Sequence, residues 1–313
     1  MIGVERAAPA AHAPTRATWD LAGGRRAAGA TSVDLEPDLR VLNRLTYPTR
    51  VAVGPAGEVY VSDAKVGSVF FLDNTLRVMG ELKGLGVPLG VAVDGSGRLY
   101  VGRGDRRGVE VYSPAGLLLS TVDLGRIQMP NDLALDGEDR LYVVDSRSHR
   151  VSAYDRDGTL AWSVGQEGDG PGQFRFPSSL ALGGGELFVA DQGNGRIQVL
   201  DLEGRFLRSF GQPVRAFTDA WHGRFIKPQS LAVDADGHLH VADTGLNRVQ
   251  VLDAATGAFL SAYAELGHGP AQVYLPLDVV ILASGEVLVA DAGNGRLNVL
   301  VPGAGPVEGG ATP

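Results

Sequence analysis

The feature that most constrains this chain is one segment that returns six times with small changes. Its clearest copies are "VADQGNGRIQVLD" at 189–201, "VADTGLNRVQVLD" at 241–253 and "VADAGNGRLNVLV" at 289–301. On both sides of a polar turn, each copy alternates apolar with other residues, which is typical of paired antiparallel strands. A unit copied this often builds the fold, so departures from the repeat are the better candidates for function.

Two markers set the register of the repeat. The units open at Pro48, Pro88, Pro130, Pro177, Pro228 and Pro276, and their second strands end at Asp63, Arg103, Asp145, Asp191, Asp243 and Asp291. The markers stand 15 residues apart in five units and 14 in the fourth. Two further alternating segments complete the unit, which predicts blades of four antiparallel strands. The spacing of 40 to 52 residues between units is typical of propeller arrays.

The fourth unit carries a resemblance to a known repeat. The segments "GQEGDGPGQFRFP" and "FPSSLALGGGELFVADQGNGRIQVLD" resemble the NHL repeat, and six such units over about 39–301 resemble a six-bladed NHL β-propeller. The predicted fold is therefore all-β, a six-bladed β-propeller of four-stranded antiparallel blades. The resemblance implies much less about function, because one propeller scaffold hosts lyases, lactonases, receptors and docking platforms.

The ends of the repeat array predict how the ring closes. The last unit has no fourth strand, and "LRVLNRL" at 39–45 is a strand without a blade of its own. We expect this N-terminal strand to complete the last blade, which leaves no open ring. The predicted organisation is a flexible tail at 1–32, the propeller at 33–302 and a second flexible tail at 303–313.

Composition excludes several classes of protein. Zero Cys among 313 residues excludes disulfides, thiolate catalysis and thiolate metal sites. The net charge of −8 argues against a protein-wide nucleic-acid footprint. No window of about 18 apolar residues predicts a membrane span. The N-terminus lacks the apolar core of a secretory signal, so we expect a cytoplasmic protein or a mature periplasmic or extracellular chain. The oligomeric state leaves no signal in the sequence.

One face of the propeller is predicted to carry the function. The loops between second and third strands share a face, called here the loop face, with the connectors that lead into the next blade. Blade 2 departs from the repeat on this face with Arg103 in place of Asp, followed by Arg106 and Arg107, and blade 3 adds Arg147 and His149. Two interpretations stay open: solvated surface charge, or a site for a carboxylate, a phosphate or an acidic partner.

The longest connector adds aromatic residues to the same face. The insertion "QPVRAFTDAWHGRFIKP" contains Phe217, Trp221 and Phe225, residue types that dominate binding hot spots. Packing of these rings onto the rim of the propeller is the competing interpretation. The recurring Asp and Arg of Asp-x-x-x-x-Arg, in contrast, are interpreted as structural because four units share them.

The channel mouth offers a candidate metal site. Asn131, Asp132 and Asp278 follow blade-opening Pro residues, and they face each other across the channel in a six-bladed ring. They could hold a hard cation such as Ca²⁺, which would resemble the lactonases, or they could simply hold channel water. Amidating lyases resemble this architecture too, but they place zinc-binding His directly after these Pro residues. No His stands there in this chain, which argues against zinc.

The sequence therefore favours a non-catalytic NHL propeller that acts as a binding or scaffold module through its loop face. The expected partner is a protein or peptide, a glycan or a small anionic ligand, with no cofactor, and nucleic acid is disfavoured by the acidic balance. A Ca²⁺-dependent lactonase or hydrolase, or a lyase-like enzyme at the channel mouth, is the alternative.

Overall fold

The computed structural model describes residues 17–18, 31–32, 45–106, 108–125, 127–216 and 220–300 of the chain. Within these residues the chain forms successive antiparallel sheets around a ring, and the six-bladed all-β propeller predicted from the sequence is confirmed. The only described helices are two short 3-10 turns, Gln192–Asn194 and Ala292–Asn294. No helix in the described part of the chain has the length and apolar content needed to span a membrane.

The strands follow the chain blade by blade. A separate pair is formed by β1 (Ala17–Thr18) and β2 (Thr31–Ser32). Blade 1 contains β3 (Pro48–Val53), β4 (Val59–Asp63), β5 (Ser68–Leu72) and β6 (Val78–Leu82); blade 2 contains β7 (Pro88–Val93), β8 (Leu99–Arg103), β9 (Gly108–Tyr112) and β10 (Leu118–Asp123). Blade 3 contains β11 (Pro130–Leu135), β12 (Leu141–Asp145), β13 (Arg150–Tyr154) and β14 (Leu160–Val164). Blade 4 contains β15 (Ser179–Gly183), β16 (Glu186–Asp191), β17 (Arg196–Asp201) and β18 (Phe206–Phe210). Blade 5 contains β19 (Pro228–Val233), β20 (His238–Asp243), β21 (Arg248–Asp253) and β22 (Phe259–Tyr263). A short parallel pair, β23 (Glu265–Leu266) and β24 (Gln272–Val273), leads into blade 6 with β25 (Pro276–Ile281), β26 (Val287–Asp291) and β27 (Arg296–Leu300).

Blade 6 has three strands within the described residues. The predicted closing strand at 39–45 lies outside them except for Leu45, which packs with Val51 of blade 1 and Val299 of blade 6. The two predicted tails, apart from β1 and β2, also lie outside the described residues. Closure by the N-terminal strand therefore stays a prediction.

The core consists of apolar layers between neighbouring blades. One cluster joins Val61 of blade 1 to Leu288 of blade 6, and five further clusters join the other adjacent pairs around the ring. Middle strands are covered on both faces, so β12 reads as the continuous run Leu-Tyr-Val-Val and is buried throughout. Each fully buried Val or Leu contributes roughly 1.5–3 kcal/mol relative to exposure. The six layers together hold the loops on a rigid ring.

The recurring Asp ties each loop to the connector that precedes its blade. Asp63 accepts the N–H groups of Thr46 and Tyr47 from the connector and those of Lys65 and Val66 from the loop. Asp145 and Asp243 each accept four N–H groups in the same way. Unpaired buried N–H groups are costly, so this carboxylate recurs because the backbone requires it. Its role is structural, in agreement with the interpretation from the sequence.

Candidate functional site

A β-bulge at the start of the inner strands releases backbone carbonyls toward the central channel. In blade 3 the pairing skips Asn131, which lies between Pro130 and Asp132. The inner strands of blades 1 and 6 skip the equivalent residues Thr49 and Leu277. A bulged residue is left out of the ladder, so its carbonyl is free to accept a bond from the channel.

The guanidinium of Arg50 fills this channel mouth. Arg50 is 2% exposed although its side chain is charged. Its Nε donates to the carbonyl oxygen of Asn131 at 3.1 Å, Nη1 to that of Leu277 at 2.6 Å and Nη2 to that of Ser178 at 2.5 Å. Arg50 therefore connects blade 1 to blades 3, 4 and 6 across the channel.

Two carboxyl groups flank this guanidinium. Asp132 Oδ1 lies 3.5 Å from Arg50 Nε, and Asp278 Oδ1 lies 3.5 Å from Arg50 Nη1. Each carboxyl also accepts a backbone N–H of the next blade, from Leu180 for Asp132 and from Val51 for Asp278. Burial raises the pKa of Asp278 to about 7, against the opposing effect of the nearby Arg50. One buried cation is thus shared by two buried carboxyl groups, a neutral arrangement when Asp278 holds a proton.

The residues predicted to bind calcium surround an internal cation in this arrangement. Asn131, Asp132 and Asp278 do come together, but Arg50 lies between the two carboxyl groups and supplies the positive charge. The amide Nδ2 of Asn131 donates to the carbonyl oxygen of Ser178 at 2.6 Å. A divalent ion placed here would be repelled by the guanidinium at short range. The cluster does not fit a hard cation while Arg50 holds this position.

In blade 2, Arg103 belongs to a buried charge network. Arg103 is 3% exposed, and its guanidinium contacts both carboxylate oxygens of Asp105 at 3.1 Å and one of Glu110 at 2.6 Å. The hydroxyl of Tyr112 also donates to Glu110. Blade 2 therefore reverses the Asp–Arg pair of blades 4 and 6, and Arg103 presents no free guanidinium to the surface.

Of the other two basic residues predicted in blade 2, one is exposed and one lies outside the described part of the chain. The Arg106 side chain is 66% exposed, and its Nη1 donates to Glu110 at 3.2 Å. Arg107 lies outside the described residues. Among the described residues of the blade 2 loop, Arg106 thus offers an exposed guanidinium, and it already has a carboxylate partner.

The aromatic insertion packs against blade 5. The Arg248 guanidinium stacks on Trp221 with 3.9 Å between Cζ and the ring centre, and Trp221 meets Phe259 edge to face. Phe225 is fully buried in the core between blades 4 and 5. Phe217 lies outside the described residues. Of the aromatic residues predicted to contact a partner, Trp221 is half-buried at the rim, whereas Phe225 is buried and packs in the core.

At the junction of blades 3 and 4 the loop face presents an exposed aromatic ring. The N–H of Phe176 donates to Nδ1 of His149 at 3.0 Å, and the two rings lie 4.7 Å apart. The Phe176 side chain is 53% exposed, and its backbone has φ +47°, a left-handed conformation that is strained for a bulky residue. The same backbone conformation and bond recur at Leu275, directly before Pro276, where φ is +52° and the N–H donates to Asn247. The conformation therefore belongs to the repeat, and the exposed aromatic ring is what distinguishes Phe176.

Three exposed arginines stand close in sequence to these two rings. Arg147 and Arg150 flank His149 in the blade 3 loop, and Arg175 precedes Phe176 in the connector. In the described part of the chain, none of these three guanidiniums makes a hydrogen bond or an ion pair. We call Arg147, His149, Arg150, Arg175 and Phe176 the junction patch.

The junction patch was predicted only in part. Arg147 and His149 were identified as departures from the repeat. Arg150 was interpreted as a structural Arg of Asp-x-x-x-x-Arg, yet among the described residues its guanidinium makes no ion pair with Asp145. Arg175 and Phe176 look like ordinary connector residues next to Pro177. Their position directly before a blade-opening Pro was the available signal, because that position always lies on the loop face. The left-handed backbone of Phe176 leaves no trace in the sequence.

One group of metal-type ligands lies on the opposite face. Ligand atoms of Asp234, Asp236 and His238 lie within 4.8 Å of one another. Asp234 Oδ1 accepts the backbone N–H groups of Asp236 and His238, and Asp234 Oδ2 lies 3.0 Å from His238 Nδ1. These bonds are those of a hairpin turn closed by its own Asp, so the cluster is accounted for by the turn.

The relatives of this chain include a protein named for its NHL repeats. The family profile described as outer membrane protein assembly factor BamB matches residues 56–298. Human NHL repeat-containing protein 3 is 30% identical over 162 residues, 50% of this chain and 44% of that protein. The human E3 ubiquitin-protein ligase TRIM32 is 31% identical over 144 residues, 43% of this chain and 20% of that protein. The matched segments thus span less than half the length of these relatives.

The fold is also similar to that of solved propeller structures. A gluconolactonase from Xanthomonas campestris aligns with a TM-score of 0.65 and 19% identity over 96% of this chain and 98% of that chain. At this identity the likeness concerns the fold alone. Because the profile covers most of the chain and one relative is named for its NHL repeats, the chain belongs to the family described as outer membrane protein assembly factor BamB, as a six-bladed propeller of NHL repeats.

Proposed function

We propose that this chain is a non-catalytic NHL propeller that binds a partner through its loop face. The partner is a protein or peptide, or another anionic ligand, and the propeller serves as its rigid platform. The observation that carries the proposal is the contrast in how charge is used: buried channel charges have internal partners, whereas three arginines of the loop face have none within the described residues.

The channel supports the proposal because its polar groups are already engaged. Catalysis by a propeller channel needs a group with free donor or acceptor capacity directed at a substrate. Here the bulge carbonyls accept from Arg50, and the carboxyls of Asp132 and Asp278 accept backbone N–H groups as well. A substrate would have to displace the guanidinium from a site where it is almost completely buried.

Apolar exposure on the loop face supports the proposal as well. Large apolar side chains that are at least 40% exposed there are Val66, Val87, Phe176, Ile226, Leu266 and Tyr274. Four of them stand one or two residues before a blade-opening Pro, so they are distributed around the channel mouth. Apolar side chains arranged around a polar centre are typical of surfaces that bind partners.

A channel-mouth enzyme is the second candidate. The alignment with a gluconolactonase over 96% of this chain favours it, since the fold permits a metal-dependent lactonase. Against it stands Arg50, which occupies the space between the carboxyls that a metal would use. We therefore rank the binding module first.

Photo-cross-linking distinguishes the two candidates. Benzoylphenylalanine is introduced at Val87 and Tyr274 on the loop face, and at Thr256 and Asp157 on the opposite face as matched controls. The protein is expressed in its native host, and adducts are identified by mass spectrometry. We expect one partner to be recovered reproducibly from loop-face positions only. Recovery of that partner from the opposite face only, or metal-dependent turnover of a lactone panel by the purified protein, would contradict the proposal.

A further inference from the structure

We propose that the junction patch is the binding site for a short acidic peptide segment that also carries an aromatic residue. This inference rests on the proposed function, and it specifies which part of the loop face binds and what chemistry it selects. The site is formed by Arg147, Arg150 and Arg175 around the rings of Phe176 and His149.

The charge of the site selects carboxylates. An Arg without a partner on a protein surface is common, but these three stand within one or two residues of a single pair of rings in contact, tilted by 59°. Guanidiniums match carboxylates in geometry and form paired hydrogen bonds with them. Because none has an intramolecular partner among the described residues, no internal ion pair has to be broken when a ligand arrives.

The side chain of Arg175 is also held in position before a ligand binds. Its aliphatic stem lies over Gly193, where an added Cβ would stand 2.6 Å from Arg175 Cγ. The N–H of Arg175 donates to Asp191 at 2.7 Å, and its carbonyl accepts from Gly193. A guanidinium on a stem that is held in this way loses less freedom on binding than one on a free surface side chain.

The rings of Phe176 and His149 would select the aromatic residue of the peptide. Phe176 is held by its bond to His149, and the loop beneath is fixed because the Ser146 hydroxyl donates to the carbonyl oxygen of Pro177. An exposed ring of fixed orientation offers an edge or face to a second aromatic ring.

A peptide fits this site better than a nucleic acid does. The exposed carboxylates of Glu167 and Asp169 stand in the same connector as Arg175 and border the cationic area. A polyanion that extends beyond three guanidiniums would meet them, and it would approach a chain of net charge −8. A segment of a few residues contacts the cations alone.

The test is a fluorescence-polarisation titration of the full chain with a labelled pentapeptide, Glu-Glu-Phe-Glu-Glu. The same peptide with Gln in place of Glu and a single-stranded 12-nucleotide RNA serve as comparison probes. Arg147→Ala combined with Arg175→Ala should weaken binding about tenfold and reduce its salt dependence. Phe176→Gly should weaken binding severalfold and leave the salt dependence unchanged, because it removes a ring and no charge.

A matched control removes the same charge from the opposite face. Arg156 and Arg205 are exposed in turns there, and Arg156→Ala with Arg205→Ala should leave binding at the wild-type level. No binding of the acidic peptide by the wild type, or binding that survives both patch variants, overturns the inference. RNA binding that the patch variants abolish would rule out a peptide as the ligand, but it would still place the binding site on the loop face. Loss of binding only in the control variant would overturn the loop-face proposal itself.

Discussion

The channel mouth and the junction patch use the same residue type in opposite ways. At the channel mouth one Arg is buried, with three carbonyls and two carboxyls around it. At the junction patch three Arg residues are exposed, and no described acceptor contacts them. The first arrangement connects the blades, whereas the second leaves guanidinium donors available to a ligand. An Arg is therefore assigned to structure or function by its partners, not by its departure from the repeat.

Removing the channel cation should produce the largest effect. Arg50→Met leaves two buried carboxyls and three carbonyls without their shared donor, and breaking a buried pair in this way costs about 3–5 kcal/mol. Urea unfolding of the variant is compared with that of Arg156→Met, an exposed arginine expected to change stability by less than about 0.5 kcal/mol. Equal stability of the two variants would show that the channel cluster does not hold the blades.

The channel should also make stability depend on pH. The pKa of Asp278 is raised by burial to about 7 in the folded protein, against about 3.9 in the unfolded chain. The folded state then binds the proton more tightly, so this contribution is complete below about pH 4 and is lost as the pH rises toward 7. Relative to Asp278→Asn, the wild type should lose up to about 4 kcal/mol over that range. A constant difference between the two proteins would refute the raised pKa.

Arg103 and Arg106 provide the same contrast between a buried and an exposed arginine within the loop face. Arg103→Ala leaves Glu110 buried beside Tyr112 without its guanidinium, and it should lower stability by about 2–3 kcal/mol. Arg106→Ala removes an exposed partner of the same carboxylate and should cost less than about 1 kcal/mol. Thermal unfolding of both variants provides the measurement. If Arg103→Ala were as stable as Arg106→Ala, the buried network would contribute nothing and Arg103 would return as a binding candidate.

Chelation should have no measurable effect on the wild type. Arg50 already occupies the position between Asp132 and Asp278, so neither EDTA nor added Ca²⁺ should move the melting temperature. A drop in melting temperature with EDTA that Asp278→Ala abolishes would establish a metal at the channel and favour the lactonase alternative.

The smallest stability changes are expected in the junction patch. Arg147→Ala and Arg175→Ala remove guanidiniums that have no partner in the described part of the chain, and each variant should stay within about 0.5 kcal/mol of the wild type. Phe176→Gly relieves a left-handed φ and should be neutral or stabilising by up to about 1 kcal/mol. A loss above about 2 kcal/mol in Phe176→Gly would mean that the ring packs for stability.

The fold could be predicted from the sequence because its signals are local and repeated. Each unit shows its opening Pro and its alternating strands, and five of the six show the Asp that gathers loop N–H groups, so weak signals reinforce each other. The identity of the channel cation could not be predicted. Asp132 and Asp278 were placed correctly around the ring, but the reach of Arg50 depends on bulge carbonyls, whose direction is a three-dimensional property. Charge alone suggested an external metal.

The candidate site could be predicted less well than the fold. Arg103, Arg106, Arg107, Arg147 and His149 shared one signal, departure from the repeat, although Arg103 has buried partners and the Arg147 guanidinium has none among the residues that the structure describes. Whether a charge is satisfied depends on neighbours such as Glu110, which stands seven residues away on the next strand. The role of Phe176 depends on a backbone conformation and on a bond to another blade. Both properties appear only when the chain is folded.

Arginine modification with phenylglyoxal, read out by peptide mapping, tests the contrast most directly. In the folded protein Arg147, Arg150 and Arg175 should react quickly, and the acidic pentapeptide should protect all three. Arg50 and Arg103 should stay unmodified until the protein unfolds, because both are buried and hydrogen-bonded. Modification of Arg50 in the native state at the rate of the patch arginines, or protection by the peptide anywhere except the junction patch, would contradict the account.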